Sequence, residues 1–256
     1  NNTFTSTLKT TIMTTLVKFA IALTLSILLS SCGFDINLGD FSSGVKGNGI
    51  VQTDTRPVNE EFTVISASEG IQVYVTQDDN FSISVEADEN VIDLIGTDIN
   101  NNVLKIHAIN NIGNATKKVY VSLPKISELK SSSGSHLITE NTINSDRLTI
   151  DSSSGSILNA EIIADNLDID ASSGANIQIS GESGNTSIDA SSGANLSGKE
   201  LSTKFCDAEA SSGANVSIFV SESLTADASS GGNISYSGKA KVNTKKSVSG
   251  SVTFND

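Results

Sequence analysis

Ile169-Asp-Ala-Ser-Ser-Gly-Ala-Asn-Ile177 is followed nineteen residues later by Ile188-Asp-Ala-Ser-Ser-Gly-Ala-Asn-Leu196. The Ser-Gly core of this block returns seven times, with glycines at Gly134, Gly155, Gly174, Gly193, Gly213, Gly231 and Gly250, at gaps of 21, 19, 19, 20, 18 and 19 residues. A period near twenty, sustained over residues 134–250, predicts a chain that coils into stacked rungs instead of folding around one compact core. Such an array presents a surface more readily than a unique pocket.

Aligning the blocks on their glycine sorts the residues by parity. Seven positions before it stand Leu148, Leu167, Thr186, Cys206 and Leu224; five before it stand Leu129, Ile150, Ile169, Ile188, Ala208 and Ala226. Three after it stand Leu137, Leu158, Ile177, Leu196, Val216 and Ile234. In an extended chain these odd offsets share one face, which the coil must enclose. The even offsets are polar: Asp151, Asp170, Asp189, Glu209 and Asp227 four before the glycine, and Asn176, Asn195, Asn215 and Asn233 two after it. The glycine itself fits a bend where φ is unusual or a side chain would clash. The fold class is therefore all-β, a β-helix or solenoid-like stack of rungs of about 19 residues.

Upstream of the blocks, period-two alternation continues in Ile71/Val73/Val75, Phe81/Ile83/Val85, Val103–Ile106 and Val119–Leu123. Asp78-Asp-Asn80 and Asn100-Asn-Asn102 read as tight turns between strands, and Asn90–Ile95 as a single helical turn. The β domain thus spans 47–256, an N-terminal β region over 47–124 followed by the Ser-Ser-Gly repeats over 125–256.

Residues 1–31 read as a lipoprotein signal peptide. Lys9 and Lys18 precede a weakly polar to apolar run, Phe19–Leu29, and Leu29-Ser-Ser-Cys32 resembles a bacterial lipobox. The run is too short to span a bilayer, which needs about 20 residues. Cys32 is then the lipidation point and residues 32–46 a tether; Met13, the single methionine, marks a candidate translation start. Removing residues 1–31 takes both lysines away and deepens the net charge from −13 to −15. That charge excludes nucleic acid as a partner and leaves the lipid anchor as the route to a membrane. Cys206, the only other cysteine, has no internal disulfide partner and sits where sister blocks carry leucine.

The chain resembles the family described as "putative auto-transporter adhesin, head GIN domain", found among Bacteroidetes lipoproteins. The resemblance is carried by Gly47-Asn-Gly49, Arg56-Pro-Val-Asn-Glu-Glu-Phe62, Gly70-Ile-Gln-Val-Tyr-Val-Thr-Gln77, Asn102–Ile106 and the tandem Ser-Ser-Gly blocks. It implies a β-helical protein of the cell envelope, an outer-membrane lipoprotein facing either side, with an adhesive or envelope-organising role and no catalytic residue to carry over. One block departs from the pattern: Phe205-Cys-Asp-Ala-Glu209.

No cofactor motif and no nucleophile–base pair stands out. The carboxylates are spread one per rung, the only arginines are Arg56 and Arg147, the only histidines are His107 and His136, and tryptophan is absent. Catalysis is not expected, and a carbohydrate-active β-helix enzyme is kept as the alternative. The Asp151/Asp170/Asp189/Glu209/Asp227 ladder reads as a solvated face, with weak Ca²⁺ binding in a calcium- or small-ligand-binding periplasmic module as the sharper alternative. The Ser172–Asn176 type of block either satisfies its own turn or offers small polar groups to a glycan or protein surface partner. Self-association is left open.

Overall fold

The computed structural model describes residues 44–245 and 249–255, so the expected signal peptide, Cys32 and most of the tether lie outside the described residues. The described residues form one solenoid of stacked rungs. β10 (Ile143–Ser152), β11 (Ile157–Ala171), β12 (Asn176–Ala190), β13 (Asn195–Ala210) and β14 (Asn215–Ala228) lie parallel, each on the next. The long strands share a bend near Asp165 in β11, where the alternation of buried and exposed residues slips, and in β12 and β13 the alternation slips at a second point upstream of it. β15 (Asn233–Ser237), β16 (Lys241–Thr244) and β17 (Ser251–Phe254) finish the stack.

The sequence register is the structural register. Ile150 stands beside Ile169, Ile169 beside Ile188 and Ile188 beside Ala208, and all four are buried. Leu158, Ile177, Leu196, Val216 and Ile234 form a second buried column, and Leu148, Leu167, Thr186, Cys206 and Leu224 a third. Stacking at about 4.8 Å lets each strand satisfy its backbone groups on the rungs above and below.

Consecutive strands are joined by the Ser-Ser-Gly turn. In Ser172-Ser-Gly-Ala175 the Ala175 amide donates to the Ser172 carbonyl at 3.0 Å, with φ of +51° at Ser173 and +74° at Gly174. Positive φ at both central residues makes this a type I′ turn. Turns also bond vertically, since the Gly155 amide donates to Ser173 O and the Gly174 amide to Ser192 O. One expectation is corrected at the last block. Asn233 pairs with Ser251 and Ile234 with Val252, so Ser249 and not Gly250 falls level with Gly231.

The N-terminal region enters the same stack. β2 (Val64–Ala67) and β3 (Gln72–Gln77) make a rung of their own, joined by Ser68-Glu-Gly-Ile71, with φ of +61° at Glu69 and +69° at Gly70. β8 (Glu128–Ser131) and β9 (His136–Thr139) stack on one side of that rung, β6 (Val103–Ala108) and β7 (Lys117–Leu123) on the other. Rung order in space therefore departs from chain order. Beyond β6 and β7 the direction reverses: β5 (Ile95–Asn100) pairs antiparallel with β6, β4 (Ser82–Asp88) with β7, and β1 (Val51–Arg56) with β4. These antiparallel strands close the N-terminal end. The expected helical turn is present as a 3-10 turn, Ile92–Leu94.

Candidate functional site

Because the core columns point inward, the even positions are forced outward into straight ladders, and these ladders are the candidate functional surface. Asp151, Asp170, Asp189, Glu209 and Asp227 stand in unbroken register, one per rung. A lysine closes each end. Lys130 pairs with Asp151 in the strand register and reaches it at 3.9 Å, while Lys245 reaches Glu209 at 3.3 Å and Asp227 at 3.5 Å. The middle of the ladder has no such relief. Desolvation first, then the neighbouring Asp151 and Asp189 charges, raise the Asp170 carboxyl above the usual range. Among the described residues no three His, Cys, Asp or Glu side chains converge as metal ligands.

The asparagines form a second ladder, and its bonds explain the residue type. Asn195, Asn215 and Asn233 each donate from Nδ2 to Oδ1 of the asparagine one rung below, at 3.1–3.3 Å. Each also donates to the carbonyl of its own turn glycine, as Asn176 does to Gly174 at 3.1 Å. These amides are committed to the turns, in agreement with the turn-satisfying reading of the block.

The groups capable of acid–base or thiol chemistry are dispersed. His107 pairs with Asp98 at 2.7 Å on the β5–β6 hairpin. His136, on β9, meets Asn159 at 3.1 Å, and burial lowers its pKa. Cys206 is buried in the core, and desolvation pushes its thiol up to about 12, far from a reactive thiolate.

A model of the family described as "putative auto-transporter adhesin, head GIN domain" matches residues 61–240. The chain belongs to this family. Among solved structures it resembles a "putative adhesin" from Bacteroides fragilis, with TM-score 0.74, 18% identity, and 82% of this chain and 99% of that one covered. A "putative adhesin" from Parabacteroides merdae follows at TM-score 0.69 and 19% identity, covering 83% and 99%. A "putative lipid binding protein" from Parabacteroides distasonis matches at TM-score 0.62 and 18% identity, covering 83% and 99%. A search of curated proteins returns no match. At these identities the likeness establishes the head GIN fold.

Sequence reasoning missed three features of this head GIN domain that the pattern already held. Lys130 occupies the ladder position of the first block, four before Gly134. Lys245 holds the same position relative to Ser249, and the misplaced Gly250 hid it. The Ser68-Glu69-Gly70 turn carries the inner offsets that flank a repeat's glycine, with Ile65 and Ala67 before it and Ile71 and Val73 after it, but lacks the second serine.

Proposed function

We propose that the chain is a lipid-anchored, non-enzymatic cell-envelope protein whose solenoid displays a fixed polar surface for adhesion or envelope organisation. The observation that carries the reading is the ladder geometry. Outward side chains are held at rung spacing by turns that bond to one another, so the surface is pre-ordered and a partner need not order it on binding. The scatter of His107, His136 and Cys206 supports a surface role over a catalytic one. Membership of a family described as adhesins supports the same reading, and Cys32 behind the apolar run Phe19–Leu29 supplies the anchor.

Three measurements in the producing cells test it. Cys32→Ser should abolish lipid labelling and release the protein from the membrane fraction. Externally added protease should cleave the anchored body, and deleting the gene should weaken attachment to coated surfaces. A body sealed from protease until the outer membrane is opened would end the adhesive reading and leave envelope organisation.

A further inference from the structure

We infer that a groove along the bend of the long strands, between Arg147 and Phe205, binds a neutral glycan chain, with the Phe205 ring as the platform for one sugar. The outward column beside the bend reads Arg147, Asn166, Asn185, Phe205, Ser223, Lys241 from rung to rung. Every member is polar except Phe205, which is 51% exposed. The adjacent column carries Asp168, Ser187, Asp207 and Thr225, and the two columns line a hollow of about 440 Å³. Arg147 also borders a second hollow of about 640 Å³ on the side of Lys125 and Ile163, so the two hollows adjoin along the stack.

A single exposed apolar side chain means little by itself. Phe205 stands apart for two reasons. The β13–β14 register shifts twice in the segment that leads to it, at Gly198/Ser202 and at Thr203/Phe205. Irregularities of this kind re-aim side chains and gather beside binding sites. The groups around the ring are moreover hydrogen-bonding ones. The Asn185 amide donates to Asn166 at 3.2 Å, which orients it, and its Oδ1 accepts no bond from the described residues. Asp207 has no cationic partner among the described residues.

An aromatic face bordered by amide and carboxylate acceptors matches a pyranose, which offers a C–H face to the ring and hydroxyl donors around its rim. Charge selects among sugars. Arg147 is engaged by Asp168 at 2.9 Å and the Lys125 charge is matched by Asp146, so Asp207 and Asp165 leave the groove net acidic and repel uronates and sialylated chains. A protein partner would find the exposed apolar side chains Phe205 and Ile163 on different rungs and in separate hollows, where a hot spot gathers several together. The open, straight course across successive rungs suits an extended chain.

This inference rests on the adhesive reading and names the partner class of that surface. Calorimetric titration of the full chain with neutral hexasaccharides (β-1,4-glucan, β-1,4-N-acetylglucosamine and mannan hexamers) and with hexagalacturonate tests it. Saturable binding of at least one neutral hexamer and none of the uronate is expected. Phe205→Ala should weaken that binding about tenfold at unchanged melting temperature, because the ring lies outside the core. Phe254→Ala, at an exposed ring on β17, should leave it unchanged. No saturation by any neutral hexamer, stronger binding of the uronate, or equal affinity in Phe205→Ala overturns the inference. A surface-exposed body that ignores all the hexamers overturns this inference alone; hexamer binding by a body sealed inside the envelope overturns the adhesive reading alone.

Discussion

The smallest unit that decides this fold is the pair of left-handed residues in each turn. Serines at φ of +49° to +54° lie within the left-handed basin that an L residue can enter at a cost of about 1–2 kcal/mol. The glycines that follow in the same turns lie at +70° to +80°, at or beyond the edge of that basin, which is why the second position is glycine. A Cβ at Gly174 would touch nothing within 4 Å, so Gly174→Ala should cost only the conformational term, about 1 kcal/mol. Gly181 in β12 differs, with φ of +110° and a would-be Cβ running into the Ile162 carbonyl oxygen of the rung below. Gly181→Ala should cost about 3 kcal/mol or more. Urea unfolding of the two variants measures both, and equal losses would show that backbone conformation alone rules both sites. The need for glycine at 174 was legible from its place in the repeat. The need at 181 was not, because the obstructing atom belongs to another rung.

At the scale of the element, the acidic ladder is a cost that the strand register imposes. Neighbouring carboxylates in adjacent rungs repel by up to about 1 kcal/mol per pair in water, which solvent and salt reduce further. The Asp170 carboxyl is raised in the folded chain, so the unfolded chain releases that proton first as pH rises. Stability from this group is therefore full below the unfolded carboxylate range and is lost as pH climbs through the folded value. Asp170→Asn should raise stability at pH 7 by a few tenths of a kcal/mol, about 0.3 on so exposed a face, and more at low salt. The gain should vanish near pH 3. Thermal melts across pH check this, and a gain that persists in acid would mean that the amide, not the lost charge, stabilises. The acids were visible in the repeat, whereas Lys130 and Lys245 became their terminal partners only through the pairing of strands.

At the scale of the whole molecule, the rungs of β12 to β14 are nearly interchangeable because the three inner columns, the turn and the asparagine ladder repeat in each. Excising 176–194 joins Ala175 to Asn195 and lays β13 on β11, with Leu196 beside Leu158 and Ala208 beside Ile169. Stability in such an array is close to a sum of nearest-neighbour terms. The shortened chain should still fold into a β-rich, cooperatively unfolding protein with a lower midpoint, read by circular dichroism and denaturant titration. Loss of folding would show that the rungs carry long-range information beyond their neighbours. The antiparallel strands β1, β4 and β5 should not be dispensable in this way, since they cover the end of the stack that β6 and β7 would otherwise leave open.

The sequence by itself determined the rung length, the buried columns, the outward acids and asparagines, and the turn that joins them. All of these follow from period-two alternation and from φ requirements that act within a few residues. Tertiary structure alone decided that β2 and β3 lie between β6/β7 and β8/β9, that strand direction reverses at the N-terminal end, and that Phe205 opens into a groove with Arg147 and Asn185. Those outcomes depend on which strand edges meet, and a pattern that many rungs share cannot say which neighbour each one takes.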